Sequence, residues 1–425
     1  MTLLKTLTSR GCIQDCSDRD GLIKLIDAKK IVFYCGFDPT ADSLHCGSML
    51  PLILMRKLQQ QGHTPLVILG TATGMIGDPS GKSEERVLLD ADTVHKNASS
   101  IGKQIEKFLD FTGSNAAKLL LNHEWIEQVS LLQFLRDVGK HFSVNTMIAK
   151  DSVKARLNNR EQGISYTEFT YMLLQAYDFY WLNKSHNCQL QVGGSDQWGN
   201  ITGGLELIRR KQSTLSAFGL TFPLLTTASG TKFGKTEAGA IWLEGSKTSP
   251  YHFYQYWLNS ADGDIEKFLN LFSFKSNQEI KDLISTHKSS PEQRSAQKEL
   301  ATELTKLLHG EKETSAAIDA SSILFSKDLK SASSDTLLKT FHDVPSIELS
   351  PEQVSNGFGL VELLVQVNAC KSNGEARRLI EAGGIYINDE RNNDSKSKIT
   401  ANDFIDNQVL LIRSGKKNYY LAKLK

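Results

Sequence analysis

The stretch Tyr34-Cys-Gly-Phe-Asp-Pro-Thr-Ala-Asp-Ser-Leu-His-Cys-Gly-Ser48 decides the fold, because a strand pattern precedes it and a helix pattern follows it. The run Ile31-Val-Phe-Tyr-Cys35 is short and apolar, as expected of a buried parallel strand. Residues 49–61 have the apolar spacing of a helix that lies against a sheet. The quoted stretch therefore leaves the carboxyl end of a strand and enters a helix, which is where open α/β sheets bind ligands.

Three residues of this stretch suit an anionic ligand, because helix amide groups at such a junction attract anions. Gly36 and Gly47 let a ligand approach the backbone closely. His45 lies beside Gly47 at the helix entry, where its ring can donate to a phosphate. For this stretch taken alone, a plain strand-turn-helix junction with an incidental histidine is the simpler explanation.

The composition is that of an ordinary globular protein, with 425 residues, 40% hydrophobic, 23% charged and a formal net charge of +1. The length predicts two or three domains, and the charge gives no global field typical of a nucleic-acid binder. The six cysteines form no Cys-x-x-Cys pair, so we expect reduced thiols and no tightly bound metal. Neither a secretion signal nor an apolar run of about twenty residues is recognisable. A cytoplasmic location and no membrane partner are therefore expected.

A second short strand is predicted at 64–70, and the long loop 71–86 follows it. This loop is rich in glycine and small residues and carries Asp78, Lys82 and Arg86. Such loops at strand ends are often functional, although a flexible surface loop explains the pattern equally well. Further elements are predicted as helices over 1–30, 92–112 and 130–160 and as a third strand beginning at 119–121.

The segment 165–182 is apolar on nearly all sides, which predicts a buried helix. Tyr171, Gln175 and Asp178 nevertheless recur at spacings of four and three, so they share one face. A buried amide or carboxylate without a partner costs roughly 1–3 kcal/mol or more. These side chains either bond to each other and to the backbone, or they line a polar pocket.

A second polar cluster follows the predicted strand 188–193 and favours the pocket. Asp196 and Gln197 lie in Gly193-Gly-Ser-Asp-Gln-Trp-Gly-Asn200, where this strand turns into another helix. A carboxylate there either caps the helix or binds ribose hydroxyls, as acidic residues do in dinucleotide folds.

The loop Thr226-Thr-Ala-Ser-Gly-Thr-Lys-Phe-Gly-Lys-Thr236 places Lys232 and Lys235 three residues apart. Its spacing does not match a Walker loop. Two loop lysines are usually solvated, but near an adenylate site they could bind the charge of a leaving pyrophosphate.

Together these motifs resemble the bacterial tyrosyl-tRNA synthetases, a family of class I aminoacyl-tRNA synthetases. His45-Cys-Gly-Ser48 corresponds to the His-Ile-Gly-His signature, and Lys232-Phe-Gly-Lys-Thr236 corresponds to Lys-Met-Ser-Lys-Ser. The resemblance covers essentially the whole chain. Ser48 stands in place of the final histidine, and Phe233-Gly234 stand in place of Met-Ser, which we expect to alter loop mobility more than charge.

The resemblance implies a role for each motif residue. The phenolic hydroxyl of tyrosine would be bonded by Tyr34 and Asp178. Its ammonium group would be held by Asp78, Tyr171 and Gln175, and its carboxylate region by Gln197. Asp196 would bind the ribose of ATP, Asp38 would lie near the adenosine, and Gly36 and Gly47 would adjoin the nucleotide. Thr40 and His45 would bind the γ-phosphate, and Lys82, Arg86, Lys232 and Lys235 the departing pyrophosphate.

The implied reaction has two steps and needs no protein nucleophile. The carboxylate of L-tyrosine attacks the α-phosphate of Mg²⁺-ATP, and tyrosyl-adenylate then passes its acyl group to the 3′ end of tRNA(Tyr). Positioning and charge stabilisation would carry the rate. Two alternatives stay open: a related class I synthetase or nucleotidyl transferase for another small acid, and a non-catalytic RNA-binding paralogue.

The last part of the chain reads as a basic module. Residues 371–425 contain eleven Lys/Arg and seven Asp/Glu, and Lys371, Arg377 and Arg378 fall around one predicted helix start. A solvated face explains this modest charge, while a resemblance to small RNA-binding domains favours contacts with the tRNA backbone.

We therefore predict an α/β protein in four parts, with a homodimer implied by the resemblance alone. The parts are a Rossmann-like parallel-sheet catalytic domain that binds ATP and tyrosine (1–225), the lysine loop with an α-helical anticodon-stem domain (226–330), a linker (331–350) and a small α+β RNA-binding domain (351–425).

Overall fold

The computed structural model describes residues 3–80, 88–158, 163–211, 216–226, 233–236, 239–325, 333–341, 344–415 and 418–425. The chain forms two compact units. The first contains Met1–Leu243 and Ser260–Ala296, and the second contains Glu244–Asn259 and Gln297–Lys425.

A five-stranded parallel sheet forms the centre of the first unit. Its strands are β1 (Val32–Phe37), β2 (Thr64–Leu69), β3 (Lys118–Leu121), β4 (Cys188–Gly194) and β5 (Phe218–Phe222). Their order is β3-β2-β1-β4-β5, and every neighbouring pair is parallel. The predicted Rossmann-like α/β class is therefore confirmed. The chain reverses its direction of winding at β1, so the loop after β1 lies at the switch point of the sheet.

Helices pack on both faces of this sheet, which explains its apolar strands. Those of the first unit are α1 (Leu3–Ser9), α2 (Arg19–Ala28), α3 (Met49–Gln60), α4 (Ala91–Ile105), α5 (His123–Ile126), α6 (Leu131–Asp137), α7 (Val144–Ile148), α8 (Asp151–Asn158), α9 (Tyr166–His186), α10 (Trp198–Arg210), α12 (Asp262–Phe272) and α13 (Asn277–Ser289). On one face, leucines of α1 and α3 enclose a small cavity with Leu190, Val192 and Leu220. On the other face, Phe179 and Leu182 of α9 pack with Tyr34.

Strand β5 is absent from the sequence-based prediction because its pattern is interrupted by a glycine. Gly219 lies in the middle of the strand, where a glycine usually weakens a strand prediction. A Cβ at this position would overlap the side chain of Ile201 on α10. The close approach of α10 to the sheet therefore requires glycine here, and tertiary packing outweighs the local preference.

Helix α9 carries the predicted polar face, and its ends follow from local hydrogen bonding. The Ser165 side chain accepts from the backbone N–H of Glu168 at the amino end. Asn187 adopts a left-handed conformation (φ 53°) at the carboxyl end, and its N–H bonds to the Leu182 carbonyl. The predicted helix 165–182 is confirmed and extends to His186.

The second unit combines helices with a mixed sheet. Its helices are α11 (Pro250–Leu258), α14 (Ser295–Phe325, which begins in the first unit and is broken at Gly310), α15 (Ser334–Thr340), α16 (Pro351–Ser355), α17 (Leu360–Gln366) and α18 (Asn373–Glu381). Its strands are β8 (Ser346–Leu349), β9 (Phe358–Gly359), β10 (Ile385–Ile387), β11 (Glu390–Asn392), β12 (Lys398–Ile399), β13 (Val409–Ser414) and β14 (Asn418–Leu424). The five-stranded sheet has the order β11-β10-β13-β14-β8.

The segment 331–350, predicted as a linker, contains regular secondary structure among its described residues. Helix α15 lies within it, and β8 pairs in parallel with β14. Both elements are too short to show periodicity, and β8 takes its hydrogen bonds from a strand far along the chain. The domain boundaries at 225, 330 and 350 stay predictions. Among the described residues, no helix is long and apolar enough to cross a membrane.

Candidate functional site

The predicted pocket residues that the structure describes gather at the carboxyl ends of β1, β2 and β4. Asp38 follows β1, Asp78 lies in the loop after β2, and Asp196 and Gln197 follow β4. Helix α9 brings Tyr171, Gln175 and Asp178 to the same edge, because the face that carries them packs onto the sheet.

Asp178 lies deep in this pocket, with a side chain held by two donors. The indole Nε1 of Trp125 donates to Oδ1 at 2.7 Å, and the amide Nδ2 of Asn122 donates to Oδ2 at 3.1 Å. Burial raises the pKa of Asp178 to about 7, and the two donors oppose that shift. The carboxylate is thus fixed in orientation while remaining able to change its charge near neutral pH.

Tyr34 faces the same pocket, and its hydroxyl lacks a partner. The residue is only 2% exposed, and its hydroxyl makes no hydrogen bond within the described part of the chain. Burial, with the nearby Asp178 charge second, raises the pKa of Tyr34 well above its usual value, so the hydroxyl stays protonated. Gln191 is paired with Tyr34 across β1 and β4, and its buried Oε1 likewise lacks a described partner. An unpaired buried donor and acceptor here are the features expected of a site that binds a polar ligand.

The remaining residues predicted to hold an ammonium group lie on two neighbouring networks. The Tyr171 hydroxyl donates to Oδ2 of Asp38 at 2.8 Å. The Gln175 Oε1 is buried without a hydrogen-bond partner among the described residues. Asp78 accepts from the amide of Gln197 at 2.7 Å and from the backbone of Ser80 at 2.9 Å. Acceptors therefore outnumber free donors in this part of the pocket, which suits a cationic group.

The Asp196–Gln197 turn belongs to the same network as Asp78. The Gln197 amide also donates to Oδ2 of Asp196 at 3.3 Å, and its carbonyl accepts from Asn200 at 3.2 Å. Burial raises the pKa of Asp196, and the Asp78 charge adds to this rise. Asp196 does not cap helix α10, because the cap residue of that helix is Gln197 and no side-chain capping hydrogen bond is made there.

The loop after β1 presents its predicted nucleotide-binding residues to open space. A Cβ at Gly36 would meet no atom within 4 Å. Thr40 and His45 are exposed. The backbone N–H of Gly47 donates to Nδ1 of His45 at 3.0 Å, which leaves the Nε2 of a neutral ring as the donor. The backbone also fixes this loop: Cys46 N–H bonds to Ile241 O, and Leu243 N–H bonds to Leu44 O, each at 2.8 Å.

The end of the lysine loop packs against this histidine loop. Phe233 is buried between Phe268 and Phe272, with ring centroids 5.2 and 5.4 Å away. Gly234 has a φ of +79°, and a Cβ there would lie 3.1 Å from the Gly47 nitrogen. The pair that replaces Met-Ser thus anchors one end of the loop by aromatic packing. Lys235 begins a short strand, β6 (Lys235–Thr236), which pairs with β7 (Gly239–Ala240).

Several predictions fall outside the described residues. The structure does not describe the segments that contain Lys82, Arg86 and Lys232. It describes the backbone of Lys235 but not its side chain. In the second unit, the predicted RNA-binding residues Lys371, Arg377 and Arg378 are exposed around the start of α18. The Ser372 side chain caps this helix by accepting from the Glu375 N–H.

Neither a metal cluster nor a reactive thiol marks the described part of the first unit. No group of three or more His, Cys, Asp or Glu that could hold a metal occurs among the described residues. The six cysteines are free. Burial raises the pKa of Cys35 to about 12 and that of Cys46 well above its usual value, so both thiols stay protonated.

Four further residues of this network were not predicted from the sequence: Asn122, Trp125, Gln191 and Asn200. Asn122 directly follows β3, so the rule that ligands gather at strand ends could have found it. Trp125 lies one helical turn further on in α5 and reaches Asp178 only because β3 and β2 are neighbours. Gln191 lies in β4, where every residue is buried, so a polar side chain in this strand could have marked it as a site residue.

This fold and these motifs match known families over nearly the whole chain. The family model described as "tRNA synthetases class I (W and Y)" matches residues 27–326. A second, described as "Tyrosine--tRNA ligase SYY-like C-terminal domain", matches residues 336–422. The larger match defines the class of protein as a class I tRNA synthetase.

Individual relatives show which class I tRNA synthetases this chain is similar to. A tyrosine--tRNA ligase of Staphylococcus carnosus is 48% identical over 423 residues, covering 100% of this chain and 99% of that protein. One from Geobacillus stearothermophilus is 49% identical over 424 residues, covering 100% of both. The crystal structure of a C-terminally truncated mitochondrial tyrosyl-tRNA synthetase from Aspergillus nidulans has a TM-score of 0.69 and 33% identity, over 76% of this chain and 94% of that one. The chain belongs to the tyrosine--tRNA ligase family.

Proposed function

We propose that this protein activates L-tyrosine with ATP and transfers the tyrosyl group to tRNA(Tyr). The observation that carries this proposal is the buried pair at the base of the pocket. Tyr34 offers a protonated hydroxyl without a described partner, and Asp178 offers a carboxylate held by Trp125 and Asn122. A phenol has one hydrogen to donate and one oxygen to accept, so it satisfies both groups at once.

The chemistry follows from positioning rather than from a protein nucleophile. An oxygen of the tyrosine carboxylate attacks the α-phosphorus of ATP, and the bond from that phosphorus to the bridging oxygen breaks, so pyrophosphate leaves with the electron pair. The acceptor-rich region around Tyr171, Gln175 and Asp78 suits the ammonium group, and Asp196 suits a ribose hydroxyl. A terminal tRNA hydroxyl then attacks the tyrosyl carbonyl carbon, and AMP leaves.

Charge on the triphosphate needs cations from two sources. Mg²⁺ enters bound to ATP, because it keeps most of its water and binds substrate phosphates readily. On the protein side we assign the pyrophosphate to Lys82, Arg86, Lys232 and Lys235, and the γ-phosphate to Thr40 and His45. His45 supports this assignment because its Nδ1 accepts from the Gly47 N–H, so Nε2 carries the hydrogen of a neutral ring. Gly36, Gly47 and Asp38 border the nucleotide in this arrangement.

The test of the function is ATP–pyrophosphate exchange with tyrosine and phenylalanine measured in parallel. We expect exchange with tyrosine and a strong preference over phenylalanine, because the buried pair is left unpaired by the deoxy analogue. Asp178→Asn should fold and lose most of this preference. Exchange with another amino acid, or none with tyrosine, would contradict the proposal.

We also propose a homodimer formed through the helices α6 to α9. Most of the large apolar side chains that are exposed among the described residues lie there: Leu131, Leu132, Leu135, Val144, Ile148, Leu157 and Tyr166. Leu132 is 79% exposed, and these helices surround one small core. Exposed apolar surface of this density is typical of protein interfaces.

Sedimentation of the double variant Leu131→Asp/Leu132→Asp tests this interface. The wild type should sediment as a dimer and the variant as a monomer, while Ser285→Asp on the exposed face of α13 should stay dimeric. A wild-type protein that is active as a monomer at working concentration would rule the dimer out.

A further inference from the structure

A chain of hydrogen bonds joins Asp178 at the base of the pocket to Asp38, which is predicted to lie near the adenosine. The Asn122 Nδ2 donates to Asp178 Oδ2 at 3.1 Å and to Thr73 Oγ1 at 3.0 Å. Thr73 Oγ1 donates to Asp38 Oδ1 at 2.8 Å. The Tyr171 hydroxyl completes the chain at the other oxygen of Asp38. Thr73 and Asn122 are both buried, whereas Asp38 at the end of the chain is half-buried.

The direction of each hydrogen bond in this chain is fixed. The Asn122 Oδ1 accepts from the Ala72 N–H at 2.7 Å, which sets the orientation of the amide. Both amide hydrogens are then used by Thr73 and Asp178. Thr73 accepts from Asn122, so its only hydrogen must go to Asp38. The single hydrogen of Tyr171 is also used by Asp38, which leaves the phenolic oxygen of Tyr171 with lone pairs for any further ligand.

Gly70 provides the space for the bond between Thr73 and Asp38. A Cβ at Gly70 would overlap both Oδ1 of Asp38 and Oγ1 of Thr73. The backbone of Gly70 is not in the left-handed region, so conformation alone does not require glycine there. The hydrogen bond itself excludes a side chain at this position.

We propose that Thr73 is a positioning residue for both the tyrosine and the ATP subsites, with Gly70 making room for its contact. This inference rests on the proposed function. Thr73 holds one oxygen of Asp38, and Asp38 in turn directs the Tyr171 hydrogen away from the pocket. The Tyr171 oxygen is thereby presented as an acceptor for the substrate ammonium group, while Asp38 is held beside the nucleotide. Losing the Thr73 hydroxyl leaves the Asn122 amide short of an acceptor and Asp38 short of a donor.

Thr73→Val tests the proposal because it removes the hydroxyl and keeps the shape of the side chain. We expect the KM for tyrosine and the KM for ATP each to rise about 10-fold, the scale of one buried hydrogen bond whose partners are left unsatisfied. The kcat should fall by less. Thr73→Ser, which keeps the hydroxyl, should restore both constants. All are measured by ATP–pyrophosphate exchange on the full-length protein, with melting temperatures recorded alongside.

Thr71→Val is the matched control, two residues away. It also removes a buried threonine hydroxyl, one that pairs with Nδ1 of His123 at 2.8 Å and lies outside the chain of bonds to Asp38. Its two KM values should equal those of the wild type. Desamino-tyrosine, which lacks the ammonium group, gives a further readout: its inhibition constant should change less in Thr73→Val than the KM for tyrosine does.

Three results would overturn the proposal. The first is a Thr73→Val protein whose KM values match those of Thr71→Val. The second is an equal loss in Thr73→Ser and Thr73→Val together with a lowered melting temperature, which would show a purely structural role. If Thr73→Val does not fold, the test uses Gly70→Ala instead. Unchanged KM values for tyrosine and ATP in Gly70→Ala would be the third result against the proposal. A wild type without exchange activity would instead refute the proposed function.

Discussion

The indole N–H of Trp125 should set the pH range in which tyrosine binds. The substrate phenol would accept from Tyr34 and donate to Asp178, which requires Asp178 to be ionised. Burial raises the pKa of Asp178 to about 7, and the Trp125 bond at 2.7 Å opposes that rise. The kcat/KM for tyrosine should therefore fall as the pH drops through about 7, because protonation removes the acceptor.

Trp125→Phe removes this donor and should move the midpoint to higher pH. A hydrogen bond to a charged group contributes about 1.5–3 kcal/mol, and one pKa unit corresponds to about 1.4 kcal/mol. The midpoint of the pH profile for kcat/KM should thus rise by about one to two pH units. About two units is the upper limit, because the protonated carboxyl of Asp178 also accepts part of the Trp125 hydrogen bond in the wild type.

The assay is ATP–pyrophosphate exchange across roughly pH 5 to 11, about two units below the wild-type midpoint and about two above the highest midpoint expected for the variant. Trp181→Phe is the matched control, since Trp181 stacks on Trp125 with centroids 4.3 Å apart and makes no contact with Asp178 by hydrogen bond. Its profile should coincide with that of the wild type. If the Trp125→Phe midpoint also coincides with the wild type, the indole does not control the charge of Asp178.

Three further outcomes follow from the two loops and the basic helix. Lys235→Ala should slow adenylate formation by about 10²–10³-fold, the scale of one charge-stabilising donor, and single-turnover transfer from preformed adenylate to tRNA should change far less; equal losses would indicate a structural role. Gly234→Ala should slow adenylate formation by about 5–30-fold, because an alanine in the left-handed conformation costs about 1–2 kcal/mol. Gly113→Ala is its control: it carries the same backbone strain away from the site and should keep the wild-type rate. Replacing Lys371, Arg377 and Arg378 by alanine should raise the KM for tRNA and reduce its salt slope by up to about 3, and an unchanged slope would remove α18 from the tRNA interface.

The sequence predicts those parts of the site that depend on local pattern. The strand before Gly36 and the helix after Ser48 follow from apolar runs, and their junction follows from the geometry of open sheets. The shared face of Tyr171, Gln175 and Asp178 follows from helical spacing alone. These features need no knowledge of which strands are neighbours.

The parts that the sequence could not predict depend on strand order and packing. Asn122 could be found from its place at the end of β3, but the contacts of Asn122 and Trp125 with Asp178 arise because β3 lies beside β2, and no local pattern encodes that neighbour relation. The raised pKa of Asp178 depends on burial by several separate elements. Strand β8 likewise could not be predicted from the sequence, because its register is set by pairing with β14.

The stacked indoles of Trp125 and Trp181 give the pocket its own optical signal. Their ring planes are nearly parallel, at an angle of 10°, so their excited states couple and should contribute to the near-ultraviolet circular dichroism. One of the two rings bonds directly to Asp178, so a change in the charge or the partners of that carboxylate alters the electronic surroundings of the pair. We therefore expect occupancy of the base of the pocket to change the near-ultraviolet circular dichroism, which can be measured without any label.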